Sequence, residues 1–368
     1  MLLHISDTHL GKREYNLDSR EEDVYNVFEQ LMDEAIKERV KAVIHTGDLF
    51  DVYEPSNRSK LVAITALKRL RSAEIPFISI PGDHDTPKRK GTYTHKLLRE
   101  VGLLEVLSDL KEPRVIEDGV RVNIFGSPHF PTSSKEALKD DLAHASPREG
   151  RNVLMLHQGL REYLPYDNSW QLQMMDLPQG FNYYALGHLH SRKKVIMPDG
   201  SLLAIAGSPE IMRREEIDDW RRDGKGAYLV DLSKEEPNLH KVDIEVRPQQ
   251  ICEVESQRLE DEVQSLIKEL RNLPRKPILH IILTGTSMER AKVMKILSRL
   301  AEVTEHYRLE DRTVLAKGIR SDVRSMGANE IIIDYLRENG YNQEEISQIL
   351  QLLESEEVEE QLKRFAGL

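Results

Sequence analysis

The stretch Ala42-Val43-Ile44-His45-Thr46-Gly47-Asp48-Leu49-Phe50-Asp51 is an apolar, β-branched run that stops on a glycine and an aspartate. A short run bounded in this way reads as a buried strand, and in open α/β sheets ligands gather beyond the carboxyl ends of such strands. Four other strand-like runs end alike: 2–6 leads to Asp7 and His9, 77–81 to Asp83 and His84, 153–156 to His157, and 183–187 to His188 and His190. Five strand ends therefore carry three carboxylates and five imidazoles, with Asp48 as their pivot.

Working outward, a strand at 2–6 passes through Asp7-Thr8-His9-Leu10-Gly11 into a helix at 18–38, whose Val24, Val27, Phe28, Leu31, Ala35 and Ile36 share one face. Strand 42–46, helix 58–72, strand 76–80 and a helix near 93–101 continue the alternation, which implies a largely parallel sheet. After Glu105 strands dominate, at 120–125, 153–156, 183–187, 202–206 and 227–232, which implies a second sheet packed on the first. The long polar loops 128–151 and 160–179 are of a size that is often functional.

A polar segment at 234–238 separates this expected domain, 1–233, from a smaller α/β unit, 239–317: strand 241–253, helix 258–272, strand 278–283, helix 288–302 and strand 312–316. A glycine-bearing linker at 318–327 leads to a tail, 328–368, with two helical stripes: Ile331, Ile332, Tyr335 and Leu336, then Ile346, Ile349, Leu350 and Leu353. No internal repeat, heptad array or low-complexity block is evident.

The 368 residues are 39% hydrophobic and 31% charged, values of soluble globular chains. No apolar run approaches the roughly 18 residues of a membrane span, and the first motif begins at residue 7, so a cytoplasmic protein without a signal peptide is expected. The one cysteine, Cys252, excludes an internal disulfide framework and a thiolate zinc site. The net charge of −11 argues against general affinity for nucleic acid, but residues 329–368, with ten acidic and three basic side chains, supply −7 of it. The body is nearer neutral and can carry local basic patches.

A lone histidine after a strand is usually structural; agreement among five strand ends is different. His188-Leu189-His190 aims two imidazoles to one side of an extended segment, and Asp7-Thr8-His9 repeats the spacing with a carboxylate. Mixed imidazole and carboxylate donors suit manganese, iron or zinc better than magnesium. Seven candidate ligands, Asp7, His9, Asp48, Asp83, His157, His188 and His190, exceed the needs of one ion, and two ions sharing a carboxylate fit better.

Asp7-Thr8-His9, Gly47-Asp48-Leu49-Phe50-Asp51, Gly82-Asp83-His84-Asp85, His157-Gln158-Gly159 and Gly187-His188-Leu189-His190 resemble, in order, the signature of the calcineurin-like metallophosphoesterases. With Gly207-Ser208-Pro209, the second α/β unit and the helical tail, the whole chain resembles the Mre-eleven (SbcD-type) double-strand-break-repair nucleases. The resemblance implies a two-sheet α/β sandwich of the metallophosphoesterase type, with a smaller α/β domain capping DNA and a partner-binding tail. It implies two manganese ions, one on Asp7, His9, Asp48 and His190, the other on Asp48, Asp83, His157 and His188, with Asp48 bridging. By the same likeness His84 contacts the phosphate and stabilises the transition state or protonates the leaving oxygen. Asp51 either orients His84 or caps the following turn. The family usually carries asparagine where this chain has Asp83; three aspartates against two divalent ions leave +1, which implies tighter metal binding by a weaker Lewis acid.

Basic clusters follow three of the motifs: Lys12-Arg13, Lys88-Arg89-Lys90 and Arg192-Lys193-Lys194. They are either ordinary solvated charge or a rim for a polyanion, and their placement favours a rim for DNA backbone, which Arg213, Arg214, Arg221 and Arg222 extend. The acidic, apolar-striped tail suits a protein groove. The resemblance implies that it binds the Rad-fifty (SbcC-type) SMC-like ATPase, and that the chain forms a homodimer through the helices at 58–72 and 93–101. The expected activity is a manganese-dependent 3′ to 5′ exonuclease and single-strand endonuclease acting on single- and double-stranded DNA ends. The competing readings are a phosphoprotein or small-molecule phosphoesterase and a non-catalytic scaffold; the basic rim and second domain weigh against the former, the full ligand set and His84 against the latter.

Overall fold

Strand β1 (Leu2–Ile5), helix α1 (Asp18–Lys37), strand β2 (Ala42–His45), helix α2 (Asn57–Ser72), strand β3 (Phe77–Ser79), helix α3 (Thr94–Glu100) and the short strand β4 (Glu105–Val106) open the chain as an alternating β-α series. The computed structural model describes residues 1–87, 91–117, 119–166 and 168–314, and residues 332, 333, 336, 343, 346, 347 and 350 beyond them. The remainder of the first part comprises β5 (Arg114–Glu117), β6 (Arg121–Ser127), α4 (Lys135–Leu142), β7 (Arg151–His157), β8 (Tyr183–Gly187), β9 (Lys193–Ile196), β10 (Leu202–Ile205), α5 (Ile217–Asp223), β11 (Gly226–Asp231) and β12 (Asn238–Asp243).

Two six-stranded sheets result. The first runs β12-β11-β1-β2-β3-β4, with β1, β2, β3 and β4 mutually parallel; the second runs β5-β6-β7-β8-β10-β9, with β6, β7, β8 and β10 parallel. This is the α/β two-sheet architecture expected of a metallophosphoesterase. Alternation builds it: Leu3, Ile5 and Val43 pack with Phe28 and Leu31 of α1 and Leu67 and Leu70 of α2. Leu2, Ala42, Ile44 and Ile78 turn the other way and meet Ile124, Val153, Met155 and Ala185 of the second sheet. Burying both faces of the parallel strands explains their unbroken apolar sequences. Each such Leu or Ile contributes about 1.5–3 kcal/mol. His4 is the polar exception on this inner face: its ring nitrogens meet Tyr183 Oη at 2.7 Å and Thr46 Oγ1 at 3.0 Å, and burial lowers its pKa to about 3.

After β12 follow β13 (Gln249–Glu255), α6 (Leu259–Leu270), β14 (Ile278–Thr284), α7 (Arg290–Leu297) and β15 (His306–Asp311), the three strands forming a sheet in the order β13-β14-β15. By compactness one unit comprises Met1–Ile251, Leu270–His280 and Val303–Tyr307, the other Cys252–Glu269, Ile281–Glu302 and the chain from Arg308 on. The second has its own buried apolar residues, among them Val254, Leu259, Val263, Ile281, Leu283, Val293 and Leu297.

The single strand expected at 241–253 is two: β12 pairs antiparallel with β11 as an edge of the first sheet, and β13 starts only after Pro248, which has no N–H for a ladder. Helix α4 lies in the expected loop 128–151; only Leu138 and Leu142 of it are buried, too few to show a periodicity. The last strand precedes the expected 312–316 because its half-charged sequence hides the alternation. In the tail Ile332, Leu336, Ile346 and Leu350 are helical, with Leu336 and Ile346 buried, while Ile331, Tyr335, Ile349 and Leu353 lie outside the described residues. Among the described residues no helix is long and apolar enough to cross a membrane.

A buried charge cluster anchors α1 within the first unit. Asp23 takes Arg20 at 2.6 Å and Arg247 at 2.6 Å, and Arg275 as well; Arg20 also reaches Glu210 at 3.3 Å and the Ile211 carbonyl at 2.8 Å. Removing one partner strands the others as unpaired buried charges. Asp23→Ala is expected to cost about 3–5 kcal/mol, read from the midpoint of denaturant unfolding; a loss below about 1 kcal/mol, the level of an exposed pair, would contradict this.

Candidate metal centre

The loops after β1 and β2 are zipped side by side, with hydrogen bonds Asp7 N–H to Gly47 O at 3.0 Å, His9 N–H to Asp48 O at 3.0 Å and Leu10 N–H to Leu49 O at 2.9 Å. Asp85, fully buried, fastens the β2 and β3 ends together by accepting the N–H groups of Leu49, Phe50 and Gly82 at 3.0–3.1 Å. Within this frame Asp7, His9, Asp48 and His188 all hold left-handed backbone, with φ of 50°, 43°, 58° and 78°. Such conformations cost of order 1–3 kcal/mol each in side-chain-bearing residues and concentrate at functional sites. Two neighbours must be glycine for room: a Cβ on Gly47 would stand 2.3 Å from His157 Nδ1, and one on Gly82 2.1 Å from Asp48 Oδ1.

All seven expected ligands meet. Asp48 accepts the His84 N–H on Oδ1 at 2.9 Å, while its Oδ2 lies 3.4 Å from His157 Nε2 and 3.7 Å from His9 Nε2. Asp83 Oδ1 is 3.0 Å from His157 Nε2 and 3.2 Å from His188 Nδ1, and His9 Nε2 faces His190 Nε2 at 3.3 Å. Donor atoms of Asp7, His9 and His190, and of Asp83, His129, His157 and His188, lie within 4.8 Å of one another in each group, and Asp7, Asp48 and His157 form a third such group linking them.

The electrostatics favour positive charge at the centre. Burial alone would raise Asp48 and Asp83, but their imidazole partners hold both well below the ordinary carboxylate range. Burial alone would lower His9 and His157, yet the surrounding carboxylates raise both. Facing imidazole nitrogens beside buried carboxylates form a donor set that a divalent cation of the manganese, iron or zinc type fits.

Second partners fix which nitrogen points inward. The Thr46 carbonyl can only accept, so His157 Nδ1 donates to it, at 2.7 Å, and Nε2 is the nitrogen turned to the site, where its lone pair would serve a cation. His190 Nδ1 is 2.9 Å from Glu216 Oε1; Glu216 Oε2 in turn is 2.5 Å from Lys225 Nζ, which also donates to the His190 carbonyl and to Ser208 Oγ. Although burial opposes it, Lys225 and His190 hold Glu216 down to about 2.

His84 borders this cluster, its ring 4.7 Å from that of His9. Its Nδ1 donates to the main-chain carbonyl of Asp51 at 2.7 Å. Asp51 thus orients His84 through its backbone; its carboxylate goes instead to Lys12 Nζ at 3.2 Å and His9 Nδ1 at 3.5 Å, and stands 3.9 Å from His84 Nδ1.

Arg192 is not on the rim. Its side chain is 1% exposed, bound to Asp243 at 2.5 Å and to the carbonyls of Ala227 and Val242, so it offers nothing to a phosphate and braces the edge of the first sheet. Lys193 is half-buried and Lys12 half-buried beside Asp51; Arg13 is exposed and paired with Asp18 at 2.6 Å. Arg221 and Arg222 pair along their own helix with Asp218 and Asp219. Lys88, Arg89 and Lys90 lie outside the described residues.

His129 and Glu216 belong to the site and were not anticipated. β6 runs two residues past its expected end at Phe125, to Ser127, and so presents His129 as the other strand ends present their candidate ligands; Glu216 sits inside the unpatterned Arg-Arg-Glu-Glu run.

Residues 1–192 match the calcineurin-like phosphoesterase family. The chain is 45% identical to the DNA double-strand break repair protein Mre11 of Sulfolobus acidocaldarius, covering 100% of this chain and 99% of that one. The chain belongs to the Mre11 family of calcineurin-like phosphoesterases. The protein of the same name from Saccharolobus solfataricus is 44% identical with the same coverage, and that of Methanocaldococcus jannaschii 31% identical over 92% of this chain and 91% of the relative. Membership in the Mre11 family makes the chain a metal-dependent hydrolase, and the donor cluster is its candidate divalent-metal centre.

Glu216→Gln deletes the carboxylate that orients His190. Cation affinity in calorimetric titration is expected to fall roughly 10-fold or more. Unchanged affinity would reduce Glu216 to a partner for Lys225 alone.

Proposed function

We propose that the chain is a manganese-dependent DNA nuclease, a 3′ to 5′ exonuclease and single-strand endonuclease that processes DNA ends in double-strand-break repair. One observation carries the reading: a complete seven-residue donor set with His84 at its border, in a chain that aligns end to end with relatives named for DNA double-strand break repair. Two manganese ions, one on Asp7, His9, Asp48 and His190 and one on Asp48, Asp83, His157 and His188, would supply the Lewis acidity that polarises a phosphodiester and makes water nucleophilic near neutral pH. The chain's own residues do the rest. His84, with Nδ1 held by the Asp51 carbonyl and a side chain 39% exposed, turns Nε2 outward to contact a phosphate or hand a proton to the leaving oxygen. Lys12, Arg13 and Lys193, with Lys88, Arg89 and Lys90, position the DNA backbone without reading sequence.

The reading extends to partners. The smaller α/β domain, 239–317, caps the DNA, and the tail stripes, Ile331 to Leu336 and Ile346 to Leu353, dock on the Rad-fifty (SbcC-type) SMC-like ATPase. A homodimer forms on α2 and α3, where Leu61 and Leu97, and Val101 just past the end of α3, are exposed. These exposed apolar side chains support the dimer together with the family likeness.

The test is cleavage of end-labelled single- and double-stranded DNA with manganese, magnesium or chelator. Manganese-dependent loss of nucleotides from 3′ ends is expected, abolished by Asp48→Ala and slowed about 10²–10⁴-fold by His84→Gln. Intact DNA alongside hydrolysis of small aryl phosphoesters would transfer the assignment to a phosphatase. Asp83→Asn is expected to loosen manganese and speed turnover, since the centre gains one positive charge; unchanged affinity and rate would sink that account.

A further inference from the structure

His129 stands outside the seven-residue donor set but is built into the same pocket. It follows the end of β6, and three hydrogen bonds tie its segment to the chain stretches that carry ligands. The His129 N–H donates to Pro81 O at 2.9 Å, two residues before Asp83; its Nδ1 meets the His157 carbonyl at 3.0 Å; and Gln158 Nε2 donates to Pro128 O at 3.2 Å. The ring lies nearly parallel to that of His188, with centroids 5.7 Å apart and 30° between planes, and edge-on to His157 at 5.8 Å. One ring nitrogen of His129 lies within 4.8 Å of the donor atoms of Asp83, His157 and His188.

A carbonyl accepts only, so the Nδ1 that meets it carries the proton, and Nε2 is the nitrogen left with a lone pair. This is the arrangement by which ligating histidines are usually held, one ring nitrogen anchored and the other presented. We infer that His129 is a fifth protein ligand of the ion assigned to Asp48, Asp83, His157 and His188, making that half of the centre a three-imidazole site. The inference rests on the two-ion reading above. It gives the two halves different chemistry: Asp7, His9, Asp48 and His190 offer two imidazoles and two carboxylates, the other half three imidazoles and two carboxylates. The added imidazole biases that half toward borderline transition cations over magnesium and leaves it fewer positions for water or substrate oxygen.

The test is calorimetric titration of the full chain with manganese, and separately the visible absorption of its cobalt(II) form, for the wild type, His129→Asn and His129→Gln. The Asn amide can replace the donor to the His157 carbonyl but reaches no further, whereas Gln can place an oxygen near the Nε2 position. Of two binding events, one is expected to weaken roughly 10- to 100-fold in His129→Asn and to recover partly in His129→Gln, with the cobalt spectrum changing in step. Wild-type affinities and an unchanged cobalt spectrum in His129→Asn overturn the inference and leave His129 as a clasp on the His157 loop. A wild-type stoichiometry below two ions defeats the two-ion reading itself, before any variant is compared.

Discussion

One buried carboxylate, that of Asp48, is asked to serve every other part of the centre. It is 2% exposed, on left-handed backbone, with Oδ1 committed to the His84 N–H and Oδ2 facing both His9 and His157. A charge so placed is expensive unless it is paired and hydrogen-bonded. The surrounding constraints follow from that demand. Gly82 is side-chain-free because Asp48 Oδ1 occupies the space a Cβ would need, and Gly47 because His157 does. Asp85 spends its carboxylate on three backbone N–H groups so that the two loops cannot drift apart. The parallel pairing of β1, β2 and β3 sets their carboxyl ends side by side, and the register of β7 with β8 places His157 opposite Gly187, next to His188 and His190.

That economy explains why so much of the centre was legible in the sequence. Strand, glycine and ligand lie within a few residues of each other at Asp7, Asp48, Asp83, His157 and His188, so a local pattern reports a global convergence. What escaped lacks that proximity. Glu216 reaches His190 from 26 residues away, and Lys225 closes the contact from the residue before β11. His129 was hidden by two residues of strand, because Gly126 and Ser127 resemble a turn more than a continuation of β6. Arg192 misled for the opposite reason. Its neighbours Lys193 and Lys194 make a basic cluster by sequence, but the ladder between β11 and β12 supplies the carbonyls that draw its guanidinium inside. Whether a charge is solvated or sequestered depends on non-local backbone that composition does not reveal.

Asp51 shows the same limit at finer grain. Its spacing from Asp48 pointed to His84, and it does hold His84, but by the one group that every residue carries. The carboxylate is left to join Lys12 to His9, coupling a half-buried basic side chain to a candidate ligand in the centre. Burial opposes ionisation of Asp51, yet His9 and Lys12 together keep it below the ordinary carboxylate range. Part of the positive charge of Lys12 is therefore already spent inside the protein.

The charge balance then decides what draws a polyanion inward. The chain carries −11 overall; Lys12 and Arg13 face Asp51 and Asp18, and Arg192 is sealed away. At physiological salt, interactions beyond about 8 Å are largely screened, so distant lysines cannot compensate for the three aspartates of the centre. Under the proposed function, bound cations are the largest local charges and reverse the sign of the pocket. Three carboxylates against two divalent ions leave +1, and the imidazoles, neutral once they ligate, add nothing to that sum. On that reading phosphate attraction and catalysis would have a common source: the ions that would activate a phosphodiester would also make the pocket tolerable to it, and the side chains at the rim would act chiefly by orienting the backbone as it enters.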